Sequence, residues 1–194
     1  MQSLYDEWAD QYDQDLTDKS YRTPQRVANM LAHWLPDRSQ PILDYGCGTG
    51  LSGTALADVG FTQIDGADLS RNMLAIARQK CTYQQLWQIG IEQPFQIELN
   101  RYRALVAVGV ISVGGAPGTV YDDLVDALCP GMLMVFSMND QSLQMPEYAG
   151  RLETSLSTGK VRVLAQDYGP HVSQHGENSG AMIYVLEALA NTDA

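Results

Sequence analysis

The sequence predicts an α/β domain: a doubly wound, mostly parallel seven-stranded sheet with helices on both faces and an antiparallel strand near its C-terminal end. Three observations predict it. From residue 41 onward, short apolar runs alternate with amphipathic helical segments, the rhythm of right-handed crossovers that bury both faces of a sheet. A glycine-rich run, Gly46-Cys47-Gly48-Thr49-Gly50, follows the first of these strands and leads into a helix. Two late strand-like runs, residues 160–167 and 181–189, are separated by about a dozen residues without helical period, including Gly169, Pro170, Gly176 and Gly180. That spacing predicts a hairpin, and a hairpin makes at least one strand antiparallel. The 194 residues read as a single domain, 1–194, with residues 1–40 as a helical lid or cap.

Each element has its own warrant. Leu4, Trp8, Tyr12 and Leu16 recur at i, i+4 steps among acids, an acidic amphipathic helix or a segment that becomes one on docking. A second helix is punctuated by Thr23 as cap, Pro24 at the first helical position and Pro36 as stop. Residues 41–45 read as a buried strand, and a helix runs from about 51 to Gly60. Residues 61–67 are the next strand, and Ser70 opens a helix through Met73, Leu74 and Ala77. Strands follow at 84–89 and 104–109, on either side of the irregular stretch 92–103. A helix over 119–129 ends at the Pro130-Gly131 turn, a strand covers 132–137, and a helix is placed near 146–157.

Composition excludes several classes. Twelve bases against twenty-three acids give a net charge of −11 without a basic stripe, so nucleic acid is not an expected partner. Three cysteines, Cys47, Cys81 and Cys129, have no C-x-x-C spacing and predict neither a disulfide framework nor a zinc cage. The acidic opening is the opposite of a targeting peptide, and no apolar run approaches the ~20 residues of a membrane span. The expectation is a soluble, cytoplasmic protein of open oligomeric state that acts on a small molecule and touches no membrane.

The chemistry concentrates after the first strand, at Ile42-Leu43-Asp44-Tyr45-Gly46-Cys47-Gly48-Thr49-Gly50. Alternate glycines let a ligand lie against bare backbone, and open α/β sheets bind ligands beyond the carboxyl ends of their strands. Asp68, closing the second strand, can accept both hydroxyl protons of an adenosine ribose. A dinucleotide fingerprint would read G-x-G-x-x-G. Here Gly46, Gly48 and Gly50 miss that spacing, and only the shifted frame Gly48–Gly50–Gly53 meets it. Asp44 would repel a pyrophosphate, yet it can orient the loop and attract a cationic amino group.

The segment resembles the first motif of the class I S-adenosylmethionine-dependent methyltransferases, and Gly66-Ala67-Asp68-Leu69-Ser70 resembles the acidic motif after it. Asn72-Met73-Leu74, Cys129-Pro130-Gly131-Met132-Leu133 and the opening Tyr5-Asp6-Glu7-Trp8 with Tyr12-Asp13 are similar to the same family. Within it, residues 42–78 with Val108-Gly109-Val110-Ile111 and Gly115-Ala116-Pro117 look most like the methyltransferase-like proteins of the Williams–Beuren region type. The resemblance implies S-adenosyl-L-methionine as cofactor. Asp44, Gly46, Cys47, Gly48 and Gly50 would surround its methionine part, Asp68 its ribose and Leu69 its adenine. Glu92 is the candidate for reading the adenine amine, Gly109 with Val110 lines the floor near the methyl group, and Tyr12 and Met73 are further candidate contacts. Gly109-Val110-Ile111-Ser112 stands where amino-methylating members carry Asn/Asp-Pro-Pro-Tyr, which disfavours nucleobase and glutamine-amide acceptors.

Three functions remain open at this level: a small-molecule methyltransferase working by direct in-line transfer, a non-catalytic module binding the cofactor or its demethylated product, and a nicotinamide-dependent oxidoreductase. No catalytic residue is assigned. His171 and His175 have an H-x3-H spacing, but the glycines and proline around them predict a loop, and no metal is expected. Either could still serve as a general base.

Overall fold

A computed structural model describes residues 20–90, 98–174 and 177–190. Helix α1 (Thr23–Trp34) precedes β1 (Ile42–Tyr45), α2 (Leu51–Asp58), β2 (Ile64–Asp68), α3 (Arg71–Gln79) and β3 (Leu86–Gln88). After a 3-10 turn at Leu99–Arg101 come β4 (Ala104–Ala107), α4 (Thr119–Ala127), β5 (Leu133–Asn139), α5 (Asp140–Leu143), α6 (Pro146–Ser157), β6 (Val161–Gln174) and β7 (Glu177–Ala188). The strands form one seven-stranded sheet in the order β3-β2-β1-β4-β5-β7-β6. All pairings are parallel up to β5, and β7 runs antiparallel to both β5 and β6. The predicted fold class is the observed one.

Strand periodicity divides the core in two. Ala104 and Val106 of β4, Leu133 and Val135 of β5, and Ile183 and Val185 of β7 pack with Val27, Leu31, Leu56 and Phe61 on one face. Their alternates Leu105, Ala107, Met134, Phe136 and Leu186 pack with Tyr121, Leu124, Tyr148 and Leu152 on the other. Both faces being covered, the strands read as continuous apolar runs rather than as alternating ones. Phe136 lies between Tyr184, stacked at 5.2 Å, and Tyr121 at 5.5 Å. Among the described residues, no helix is long and apolar enough to cross a membrane.

Several expectations need correction. Thr23 does not cap α1: Arg22 occupies the cap position, and the Thr23 hydroxyl instead pairs with His171 Nδ1 at 2.8 Å. The second strand begins at Ile64 rather than 61, because buried Phe61 plugs the end of α2, its N–H donating to the Leu56 carbonyl. The fourth stops at Ala107, since Gly109 turns the chain at φ +69°. The largest difference is the C-terminal hairpin. Within the stretch read as a loop, residues 168–174 and 177–180 continue the two strands, with Gly169 opposite Ala181 and Pro170 opposite Gly180, and a bulge between Pro170 and Val172. Pro and Gly are tolerated there because β6 is the sheet's edge strand and the pair is a two-stranded ribbon beyond β5. Ser70, by contrast, caps α3 as expected, accepting the Met73 N–H.

Candidate functional site

The strand order reverses between β1 and β4, and the glycine loop sits beyond the carboxyl ends at that point, the place where open α/β sheets hold ligands. Gly46 and Cys47 both donate their N–H to the Ala67 carbonyl of β2, at 2.7 and 3.0 Å, which folds the loop back over its neighbour. Gly46, Gly48 and Gly50 all have positive φ (69°, 53° and 93°), a conformation that disfavours side chains. A Cβ on Gly46 would strike Val110 at the end of β4. One on Gly48 would meet no atom of the described residues within 4 Å. The loop therefore packs tightly on β4 at one glycine and presents bare backbone to open space at the next.

Asp44 is fully buried at the end of β1. Its Oδ2 accepts from Ser52 Oγ at 2.6 Å and from the Tyr83 hydroxyl at 2.7 Å, while Oδ1 has no partner among the described residues. Burial raises its pKa from 3.8 to about 6; the two hydroxyl donors oppose that rise and Asp68 adds slightly to it. An anion held this way lacks a cation, and that shortage is the chemical signature of the site.

Asp68 ties the loops of β1 and β2 together: Oδ2 accepts the Gly48 N–H at 2.9 Å and Oδ1 accepts the Ser70 N–H at 2.8 Å. A carboxylate oxygen can accept more than one hydrogen bond. Leu69 follows, half-buried, its carbonyl accepting from Gln88 Nε2. Gly109 donates its N–H to Ser137 Oγ at 2.9 Å and accepts from Ser112 Oγ at 3.0 Å, so residues of β5 and of the following turn fix the end of β4. The Cys47 thiol is buried, and its pKa is pushed well above the ordinary range by burial and by Asp44 and Asp68, which makes it a packing group rather than a nucleophile. Met73 is buried on α3. Leu4, Trp8, Tyr12 and Leu16 of the expected lid, Glu92 and His175 lie outside the described residues.

Tyr83 was not legible in the sequence. Its hydroxyl donates to Asp44 and accepts the Gly53 N–H at 3.1 Å, and burial holds it protonated. Its ring fills the space left by three glycines: a Cβ on Gly50 or Gly66 would lie 3.1 or 2.9 Å from it, and one on Gly53 would overlap it. Gly53 thus makes room for a ring and does not complete a dinucleotide fingerprint. The signal available was that cluster of glycines, which marks a close approach without naming the partner.

Comparisons with known proteins agree with this geometry. A family model described as a methyltransferase domain matches residues 42–131. Methyltransferase-like protein 27 of Homo sapiens is 34% identical over 156 residues, covering 79% of this chain and 63% of that protein. The biotin biosynthesis bifunctional protein BioHC of Saccharophagus degradans is 39% identical over 67 residues, covering 34% of this chain and 12% of that protein. The chain thus spans less than two thirds of the length of these curated relatives. Among solved structures, magnesium protoporphyrin IX methyltransferase of Synechocystis PCC 6803, with SAM bound, aligns at TM-score 0.59 and 16% identity over 83% of this chain and 78% of that one. The [4+2]-cyclase SpnF aligns at TM-score 0.64 and 17% identity over 86% and 82%. At such identities the two structures show the shared fold alone.

Proposed function

Because the chain belongs to the class I S-adenosylmethionine-dependent methyltransferases, we propose that it binds S-adenosyl-L-methionine at the loop after β1 and methylates a small-molecule acceptor. One observation carries the reading. The unpartnered, buried Oδ1 of Asp44 stands next to a glycine loop whose Gly48 faces open space, and together they fit a ligand with a cationic amino group and a polar body. Asp44 then serves the methionine ammonium directly or through water, with Gly46, Cys47, Gly48 and Gly50 around the same end. Asp68 accepts the ribose hydroxyls, Leu69 packs by the adenine, and Gly109 with Val110 floors the reacting end.

When bound, S-adenosylmethionine supplies a methyl group already activated by a sulfonium leaving group and open to direct in-line displacement. What remains for the protein is alignment and exclusion of water. The glycine loop does the first through its fixed backbone, and Asp68 does so by joining both loops to one carboxylate. A small-molecule acceptor is supported by the net charge of −11, which repels nucleic acid, and by the absence of the amino-methylating motif at residues 109–112.

Calorimetry with S-adenosylmethionine, S-adenosylhomocysteine and NAD tests the cofactor assignment. Binding of the first two at one site per chain is expected, and binding of NAD alone would overturn it. Methyl-labelled cofactor incubated with a metabolite extract tests the activity. Label moving into a low-mass product is expected, whereas tight binding with no transfer to any extract would point to a non-catalytic binding module.

A further inference from the structure

The β6–β7 ribbon carries a side chain into the neighbourhood of this site. Asn139, the last residue of β5, pairs with Ala181, and Ala181 pairs with Gly169, so His171 lies past the carboxyl ends of the strands, on the same edge as the glycine loop. It sits at the bulge between Pro170 and Val172, a device that re-aims a side chain. Arg26 of α1 holds the ribbon's root through the carbonyls of Asp167, Pro170 and Ala181, and Asp140 holds it through the Tyr168 hydroxyl and the Gly180 N–H.

The ring itself is clasped from the other side. Thr23 Oγ1 meets Nδ1 at 2.8 Å, Tyr21 packs edge-on with ring centroids 5.2 Å apart, and the Arg22 N–H donates to the His171 carbonyl at 2.9 Å. The Tyr21 hydroxyl in turn lies 2.9 Å from where a Cβ on Gly109 would stand, at the end of β4. Nε2 makes no hydrogen bond among the described residues. We infer that His171 is the proton acceptor for the methyl acceptor, and that this acceptor presents a neutral, weakly acidic hydroxyl. This rests on the cofactor reading above.

The step balances as a single displacement. The acceptor's O–H bond breaks toward Nε2, its oxygen forms the new bond to the methyl carbon, and the carbon–sulfur bond breaks with its electron pair left on sulfur. The products are a methyl ether, a neutral thioether and an imidazolium. The step needs the tautomer in which Nδ1–H donates to Thr23 Oγ1 and Nε2 is the basic nitrogen, an arrangement the 2.8 Å contact accommodates. The charged groups that act on it are Arg26 of α1 and Asp140 after β5, while the Tyr21 ring packs against it. Burial lowers the imidazole's pKa from its ordinary 6.5, with Asp140 opposing and Arg26 adding, so the ring is neutral at pH 7. The Asp140 carboxylate disfavours an anionic acceptor nearby.

The sulfonium gives a direct test, because S-adenosylmethionine and S-adenosylhomocysteine differ by one positive charge at the reacting atom. The wild-type protein, labelled at histidine nitrogens, is titrated by NMR in each complex, with calorimetry confirming saturation. His171→Gln assigns the resonance, and His33 on the last turn of α1 serves as internal control. The His171 pKa should lie lower in the S-adenosylmethionine complex by about half a pH unit or more, as a cation within Coulombic reach requires. Equal values in two saturated complexes would overturn the assignment of His171 and leave the cofactor reading standing. Failure of both ligands to bind would remove that reading, and this inference with it.

Discussion

Asp44 makes the stability of this protein depend on pH in an unusual sense. Most native carboxylates titrate low, and acid destabilises them; here burial raises the pKa from 3.8 to about 6. A displacement of that size costs the folded state roughly 3 kcal/mol once pH is well above 6. The sign follows from proton counting. Between the unfolded and folded values the native state holds the proton and the unfolded state does not, so this group's contribution is fully present below 3.8 and is lost as pH rises through about 6. From pH 8 down to pH 5 the gain is on the order of 1 kcal/mol. Asp44→Asn keeps an oxygen to accept from Ser52 and Tyr83 and removes the titration. Urea unfolding of both proteins at pH 5 and pH 8 isolates the effect, since groups that do not interact with Asp44 cancel in the difference. Wild type should gain on the variant by on the order of 1 kcal/mol as pH falls across that range. A difference independent of pH would show that Asp44 titrates normally and that its burial is no source of strain.

Other substitutions probe separate parts. Asp68→Ala should weaken S-adenosylmethionine and S-adenosylhomocysteine at least about tenfold by calorimetry, since hydrogen bonds to a charged acceptor are worth ~1.5–3 kcal/mol each; unchanged affinity would remove the ribose assignment. Gly48→Val should abolish binding altogether, because its side chain would occupy the open space over the loop and its φ of +53° is strained for a β-branched residue; circular dichroism should show the fold retained. Phe136→Ala should cost about 3–5 kcal/mol in denaturant unfolding, the range for emptying an aromatic site between two other rings. Arg26→Lys should loosen the ribbon, because an ammonium cannot reproduce a fork that reaches three carbonyls. Asp167 is more than half exposed, so the carbonyl bonds and not the ion pair set the effect, about 1–3 kcal/mol. Amide exchange at residues 168–172 is its readout.

What the sequence made legible was local chemistry. The glycine run, the acids closing two strands and the Ser70 cap each depend on residues a few positions apart, and each stands where its pattern placed it. The failures share a different cause. Thr23 carries the pattern of a cap, but a histidine 148 residues away takes its hydroxyl. Gly169, Pro170 and Gly180 are turn residues by propensity, and only the neighbouring strand and the Arg26 and Asp140 anchors make them a ribbon. Tyr83 lies 39 residues from Asp44 in a stretch without motif, so nothing short-range announces the hydroxyl that orients the carboxylate.

The clasp between α1 and the ribbon also sets an order of assembly. The contacts around the glycine loop join residues tens of positions apart, whereas Thr23–His171 and Arg26–Asp167 span 148 and 141 residues. Contacts of such separation carry the largest loop-closure entropy and form late. A chain emerging from N to C therefore builds the glycine loop and its neighbours while the clasp between α1 and the ribbon is still open. Only when the ribbon folds back do the two sides face each other, so the clasp closes after β7 has been made.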